Sequence, residues 1–259
     1  MKEQDSFWVW AGAAGAALVA IGLGAYYFYQ RAQTPDEPAP AVVVTPQVEP
    51  EESPPPVAVT TTPREIPLPP LDESDSEVQG GLTELLGRDS VQKFLVPERI
   101  VRNIVVTIDN LPREKMALQQ RPVRSTPGEF LTTGPEDAPV LAPENYDRYE
   151  PFVAVLAAVD AKTVVSMYRG LQPLFQQAYE DLGHPNDFFN TRLLEVIDHL
   201  LNTPEPQGPV RLVQPSVFYK YADKELEELS SGQKLLIRMG PENAEIIKRK
   251  LRELQSELS

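Results

Sequence analysis

Three features of this 259-residue chain predict a mainly α-helical single domain with a small antiparallel β element, preceded by one membrane-spanning helix and a Pro-rich linker. Residues 7–29, FWVWAGAAGAALVAIGLGAYYFY, contain no charge. Residues 30–70 are dominated by Pro, Val, Thr and Glu. From residue 71 onward, apolar residues recur mostly at the three- and four-residue spacing of amphipathic helices. The expected division is a tail over 1–6, a membrane helix over 7–29, a linker over 30–70 and a globular domain over 71–259.

A helix of about 23 residues is roughly 34 Å long, enough to cross a hydrocarbon core of ~30 Å. Trp8 and Trp10 at one end, and Tyr26, Tyr27 and Tyr29 at the other, supply the aromatic belts of a spanning helix. The run closes on Tyr-Tyr-Phe-Tyr-Gln-Arg without an Ala-x-Ala pattern, so an uncleaved anchor is expected rather than a signal peptide. Lys2 and the α-amino group precede the span and Arg31 follows it, a small bias toward a cytoplasmic N-terminus. In a bacterium this would make a single-pass inner-membrane protein with its C-terminal domain in the periplasm. Gly12, Ala16, Ala20 and Gly24 form a small-residue face on which two such helices could pair as a homodimer.

Pro removes backbone donors and favours extended structure, so the linker forms no core and acts as a spacer. Net charge is −14; residues 33–70 contribute −5 and the residues before them nothing, which leaves the domain about −9. An acidic domain is a poor partner for nucleic acid or anionic lipid. The absence of Cys excludes disulfides and thiol nucleophiles.

Within the domain, Ser74 and Glu77 have capping-box spacing for a helix ended by Gly87. A short helix over 91–95 follows. Pro97 is expected to open a helix through Leu111, despite its many β-branched residues. Residues 113–143 read as loop, with one short strand at 130–133. Helices are expected over 145–158, over 162–182 with Asp160 as cap and Pro173 inside, and from an Asp187 cap to about 202. Residues 210–213 and 217–221 are strand candidates for a hairpin, joined by 130–133. Asp223 and Ser230 or Ser231 can cap two short helices, and residues 241–256 form the last helix.

No P-loop, dinucleotide fingerprint, Gly-x-Ser-x-Gly elbow or zinc-type Cys/His spacing is present, so no cofactor is expected. Glu195 and His199 share a helix face and could hold a metal with His184 as third ligand; the ordinary alternative is an ion pair and a loop histidine. Asp109-Asn110 reads as a capping and turn device. Tyr146, Arg148 and Tyr149 suit interface anchors, although core burial of the two tyrosines is the commoner use. Phe188-Phe189 is expected in the core.

From Leu71 onward the sequence resembles the bacterial family known as domain of unknown function 3014. The matching stretches are LDESD (71–75), TIDNLPR (107–113), NYDRY (145–149), LFQQAYEDLG (174–183), EVIDHLL (195–201) and GQKLLIRMG (232–240). The resemblance implies a Gram-negative envelope protein and carries over no catalytic or binding residue. Two functions follow as expectations. The preferred one is a non-enzymatic module that binds an envelope protein or cell-wall glycan. The other is a cell-wall hydrolase with paired carboxylates drawn from Glu195, Asp198 and Asp109.

Overall fold

The computed structural model describes residues 68–114 and 120–259. The expected span over 7–29, its aromatic belts, its Gly12–Ala16–Ala20–Gly24 face and nearly all of the linker lie outside the described residues. Among the described residues, no single helix is long and apolar enough to cross a membrane. The domain is mainly helical, with two small antiparallel sheets.

A 3-10 turn, Leu71–Glu73, leads into α1 (Asp75–Leu86) and α2 (Arg88–Phe94). The capping box expected at Ser74 does not form. Ser74 has helical backbone angles, and its hydroxyl donates to the Leu71 carbonyl at 2.7 Å. The Asp75 carboxylate reaches across instead and accepts from the backbone N–H of Arg99 (2.6 Å) and Ile100 (2.7 Å). Those two donors open α3 (Ile100–Asn110). This helix begins three residues after Pro97, because Arg99 turns into the left-handed region at φ 50° and separates the proline from it. Every residue from Ile100 to Ile108 except Arg102 is buried, so tertiary packing overrides the low helix propensity of its β-branched residues.

The strands are β1 (Thr132–Thr133), β2 (Val140–Leu141), β3 (Leu212–Val213) and β4 (Lys220–Tyr221). β1 pairs with β2 and β3 with β4, both antiparallel. The expected hairpin forms, but it is joined through β2 and not through 130–133. Val140 bridges Arg211, Leu141 N–H donates to Val210 O and Leu212 N–H to Pro139 O. A small apolar cluster of Leu141, Val210, Leu212, Tyr221 and Ile237 sits under these strands.

The single helix expected over 145–158 is two, α4 (Glu144–Asp147) and α5 (Glu150–Ala158). Pro151 occupies the first turn of α5, where its missing N–H costs nothing. α6 (Ala161–Asp181) follows after an 84° bend and is capped by Asp160, which accepts from Thr163 N–H at 2.8 Å. It carries Pro173 inside. α7 (Phe189–Leu201) takes no side-chain cap from Asp187; Gln176 Oε1 holds the Phe189 N–H at 2.9 Å. The Phe188-Phe189 pair divides, with Phe188 72 % exposed and Phe189 1 %. Asp223 caps α8 (Lys224–Glu227), Ser230 and Gln233 form a capping box on α9 (Ser231–Arg238), and α10 (Pro241–Leu258) completes the chain.

α6 is the spine. Val164, Val165, Met167, Tyr168, Leu171, Leu174, Phe175, Ala178 and Tyr179 are all buried against its neighbours. The described chain enters at the C-terminal end of α6, where Arg102 bridges Asp72 (3.0 Å) and Asp181 (2.8 Å). α10 runs alongside α6 in the same direction: Lys250 Nζ donates to Val159 O at 2.8 Å, and Arg169 to Glu257 O at 2.8 Å. The start of α10 therefore lies beyond the first turn of α6. The 21 residues of α6 span about 30 Å between these two ends.

Tyr168 stacks edge-on against Phe175, and its hydroxyl finds no partner among the described residues. Burial pushes its phenol above the usual tyrosine range. A buried unmade hydrogen bond costs about 1–3 kcal/mol, so Tyr168→Phe is expected to raise the unfolding free energy by about 1 kcal/mol in urea denaturation. A loss of stability would show that the hydroxyl is satisfied.

Candidate functional site

The stretch NYDRY sets the geometry. Asn145 and Tyr149 point inward, 1 % and 2 % exposed. Asn145 closes a ring of hydrogen bonds, accepting from Leu131 N–H and donating to the carbonyls of Leu131 and Ala142. Arg148 donates to the carbonyls of Gly128 and Glu129 at 3.2 and 3.0 Å and holds that loop. Burial pushes the Tyr149 phenol up, and the nearby guanidiniums of Arg238 and Arg148 partly offset it. Tyr146 and Arg148 are both half-buried, and Tyr146 lines a surface hollow on either side of it.

Its ring lies flat on Gly240, where an added Cβ would stand 2.5 Å from the ring carbons. Gly240 also has φ +83°, so this position excludes a side chain twice over. On either side of Tyr146 is a hollow. One, of about 250 Å³, lies under the Pro/Gly loop 203–208 and is floored by Val210, Ile237, Pro241 and Ala244. The other, of about 360 Å³, is lined by Pro143, Glu144, Asp147, Glu150, Glu242 and Asn243. Tyr146, Gly240 and Pro241 form the wall common to both. Burial raises the Tyr146 phenol above its ordinary value.

The two hollows differ in chemistry. The first is mainly apolar, and its one cation, Lys248, is consumed: its Nζ donates to Thr203 O at 2.9 Å and lies 3.4 Å from Glu205. The second offers acceptors. Asn243, 7 % exposed, donates through Nδ2 to Tyr146 O (3.1 Å) and Met239 O (2.9 Å). That fixes which way its amide faces and leaves Oδ1 without a donor among the described residues.

The residues expected to bind metal are not brought together. Among the described residues, no group of three His, Asp or Glu side chains could hold an ion. His199 Nε2 meets Ser230 Oγ at 2.8 Å, and Glu195 pairs with Arg192 at 3.3 Å. His184 stacks on Tyr179 with centroids 4.4 Å apart, and lies 3.9 Å from Asp109 and 3.5 Å from Asp187.

Asp109 is no turn device. Its side chain is 3 % exposed and sits between Arg113 and Arg192, with Arg192 Nε at 3.0 Å and Arg192 also donating to the Asp109 carbonyl. A carboxylate at the C-terminal end of a helix opposes the helix dipole, and the two guanidiniums offset that. Asp198 accepts from Gln255 at 2.6 Å. Glu195, Asp198 and Asp109 line neither hollow beside Tyr146.

Sequence reasoning reached Tyr146 but missed Asn243, the Tyr146–Gly240 contact and the carboxylates around the second hollow. Asn243 left a trace, since Asn is a poor helix former and here stands in the first turn of α10. The meeting of residues 144–150 with 239–243 left none, because it joins segments about 95 positions apart.

The fold and this surface define a helical domain whose open groove is flanked by one apolar and one acceptor-lined hollow. The chain belongs to the family described as protein of unknown function DUF3014, which matches residues 100–255. The match opens at the first residue of α3, so LDESD lies ahead of it. No curated protein and no solved structure is significantly similar.

Burial, assisted by the charge of Arg192, holds the His199 imidazole below its ordinary pKa of 6.5. The unfolded chain then binds the proton more tightly, so this contribution to stability is complete above about pH 6.5 and is lost as pH falls toward the folded value. His199→Gln should flatten the fall in unfolding free energy below pH 6.5. An unchanged slope in paired urea titrations would contradict the assignment.

Proposed function

We propose that this chain is a non-enzymatic, membrane-tethered binding module, displayed in the periplasm of a Gram-negative envelope, with the groove beside Tyr146 as its binding face. One observation carries the reading. The chain enters the domain at the C-terminal end of α6, held by Arg102, and the groove lies past the opposite end beside the start of α10. A domain leashed through its N-terminal side presents that groove away from the anchor. The uncharged run over 7–29 and the Pro-rich spacer are the grounds for the leash and its reach.

The hydrolase reading has one observation in its favour, the carboxylates gathered around the second hollow. A glycosidase acid must be kept protonated by apolar surroundings. Glu144, Asp147, Glu150 and Glu242 are exposed, and the buried Asp109 is neutralised by two arginines. Among the described residues, no pair of carboxylates in differing environments is set across a cleft, and binding is the better use of the site.

The test places a photoreactive amino acid at Glu144, beside the groove, or at Glu73, at the entry end, in full-length protein in cells. Crosslinked partner is expected from position 144 and not from 73. In spheroplasts, added protease should digest the domain while the anchor stays with the membrane. Adducts only from 73, none at all, or a domain protected until lysis would each overturn the reading.

A further inference from the structure

We infer that the groove receives an extended basic segment of a partner protein. A lysine or arginine side chain seats in the acceptor-lined hollow, and a neighbouring apolar side chain seats in the hollow under the 203–208 loop. The inference rests on the binding role proposed above and adds the chemistry of the partner.

Glu144, Asp147, Glu150 and Glu242 surround one 360 Å³ space, and none of them pairs with a cation among the described residues. Glu150 and Glu242 stand in the first turns of α5 and α10, where the helix dipole favours an acid. That accounts for those two acids within their own helices. It does not account for Glu144 and Asp147 being packed around the same hollow.

Asn243 adds an independent sign. It is more than nine-tenths buried, and both its donor contacts are made to backbone carbonyls. Its Oδ1 is an acceptor left waiting in a hollow whose other polar groups are also acceptors, apart from the Tyr146 hydroxyl. An ammonium or guanidinium brings donors and positive charge together and matches this lining. The half-exposed Tyr146 ring adds a face over which a cation is favoured. A free metal ion is a worse match, because the carboxylates are not grouped closely enough to ligate one.

The adjoining hollow excludes a bare polycation as the best ligand. Its lining by Pro204, Pro206, Val210, Ile237, Pro241 and Ala244 is apolar, and its lysine is already used. Since the two hollows share the Tyr146 wall, a ligand must carry charge and an apolar group side by side. A peptide strand in which basic and apolar side chains are close neighbours supplies both.

The experiment uses full-length protein in detergent and a fluorescent probe peptide of alternating Arg and Leu, read by anisotropy at physiological salt. Companion peptides replace Arg with Glu or Leu with Ser. The Arg-Leu peptide should bind, and both companions should bind at least about tenfold more weakly, since a charge-assisted contact and a buried side chain each contribute on that scale. The triple change Glu144→Gln, Glu150→Gln and Glu242→Gln should weaken binding about tenfold or more. Glu73→Gln, Glu84→Gln and Glu98→Gln together remove equal charge from exposed positions elsewhere and should leave it within about twofold. Thermal melts verify that both variants fold. Equal weakening by the two triples, equal binding of the Glu or Ser peptide, or no binding would overturn the inference. Mapping the adduct formed at position 144 separates the two claims. A captured partner segment without lysine or arginine sinks this inference and leaves the binding role standing, whereas the absence of any adduct sinks both.

Discussion

Burial of α6 is the constraint from which the rest follows. Its nine most enclosed side chains form one broad apolar face, and α3, α7 and α10 pack on it. At about 25 cal/mol per Å² of apolar area buried, α6 contributes more to the core than any other described helix, because it supplies the most buried apolar side chains. Its length also fixes what the two ends of the domain can do. One end receives the incoming chain, and the other carries the Tyr146 groove.

α9 ties the groove to α3 and α7. Its first glycine, Gly232, sits so close to α7 and the end of α3 that a Cβ would stand 2.7 Å from Leu200 Cδ2 and 3.0 Å from Leu111 O. Ser231 and Gly232 donate backbone N–H groups to Arg113 and Leu111, and Ser230 touches His199. Eight residues on, Gly240 lies under Tyr146. The stretches TIDNLPR, EVIDHLL, GQKLLIRMG and NYDRY, through which the sequence resembles its family, thus meet along this one short helix. Most of their residues are spent on holding the fold. Tyr146 and Asp147 are the members of NYDRY that line the acceptor hollow.

The helices were legible in the sequence because their apolar spacing is local. The α3 periodicity prevailed over its β-branched composition, and the caps at Asp160, Asp223 and Ser230 were visible as residue types at helix starts. Contacts that span the chain were not legible. Asp75 caps α3 from 24 residues away, and Gln176 holds the start of α7 from another helix, whereas local readings open α3 at Pro97 and cap α7 with Asp187. The same limit applied at the site. Glu195 and His199 do share a helix, but Arg192 and Ser230 had already taken them. The groove arises from two segments that no spacing rule connects.

The claim on which everything else stands is that the chain enters at one end of α6 and the groove opens at the other. Its most direct test is a distance. The chain has no cysteine, so Glu73→Cys and Glu144→Cys place two spin labels on exposed positions without background labelling. Pulsed electron paramagnetic resonance on the full-length protein should give a single distribution centred above about 25 Å, as the rise of a 21-residue helix requires. A distribution centred below about 15 Å would place the groove beside the tether and contradict the account.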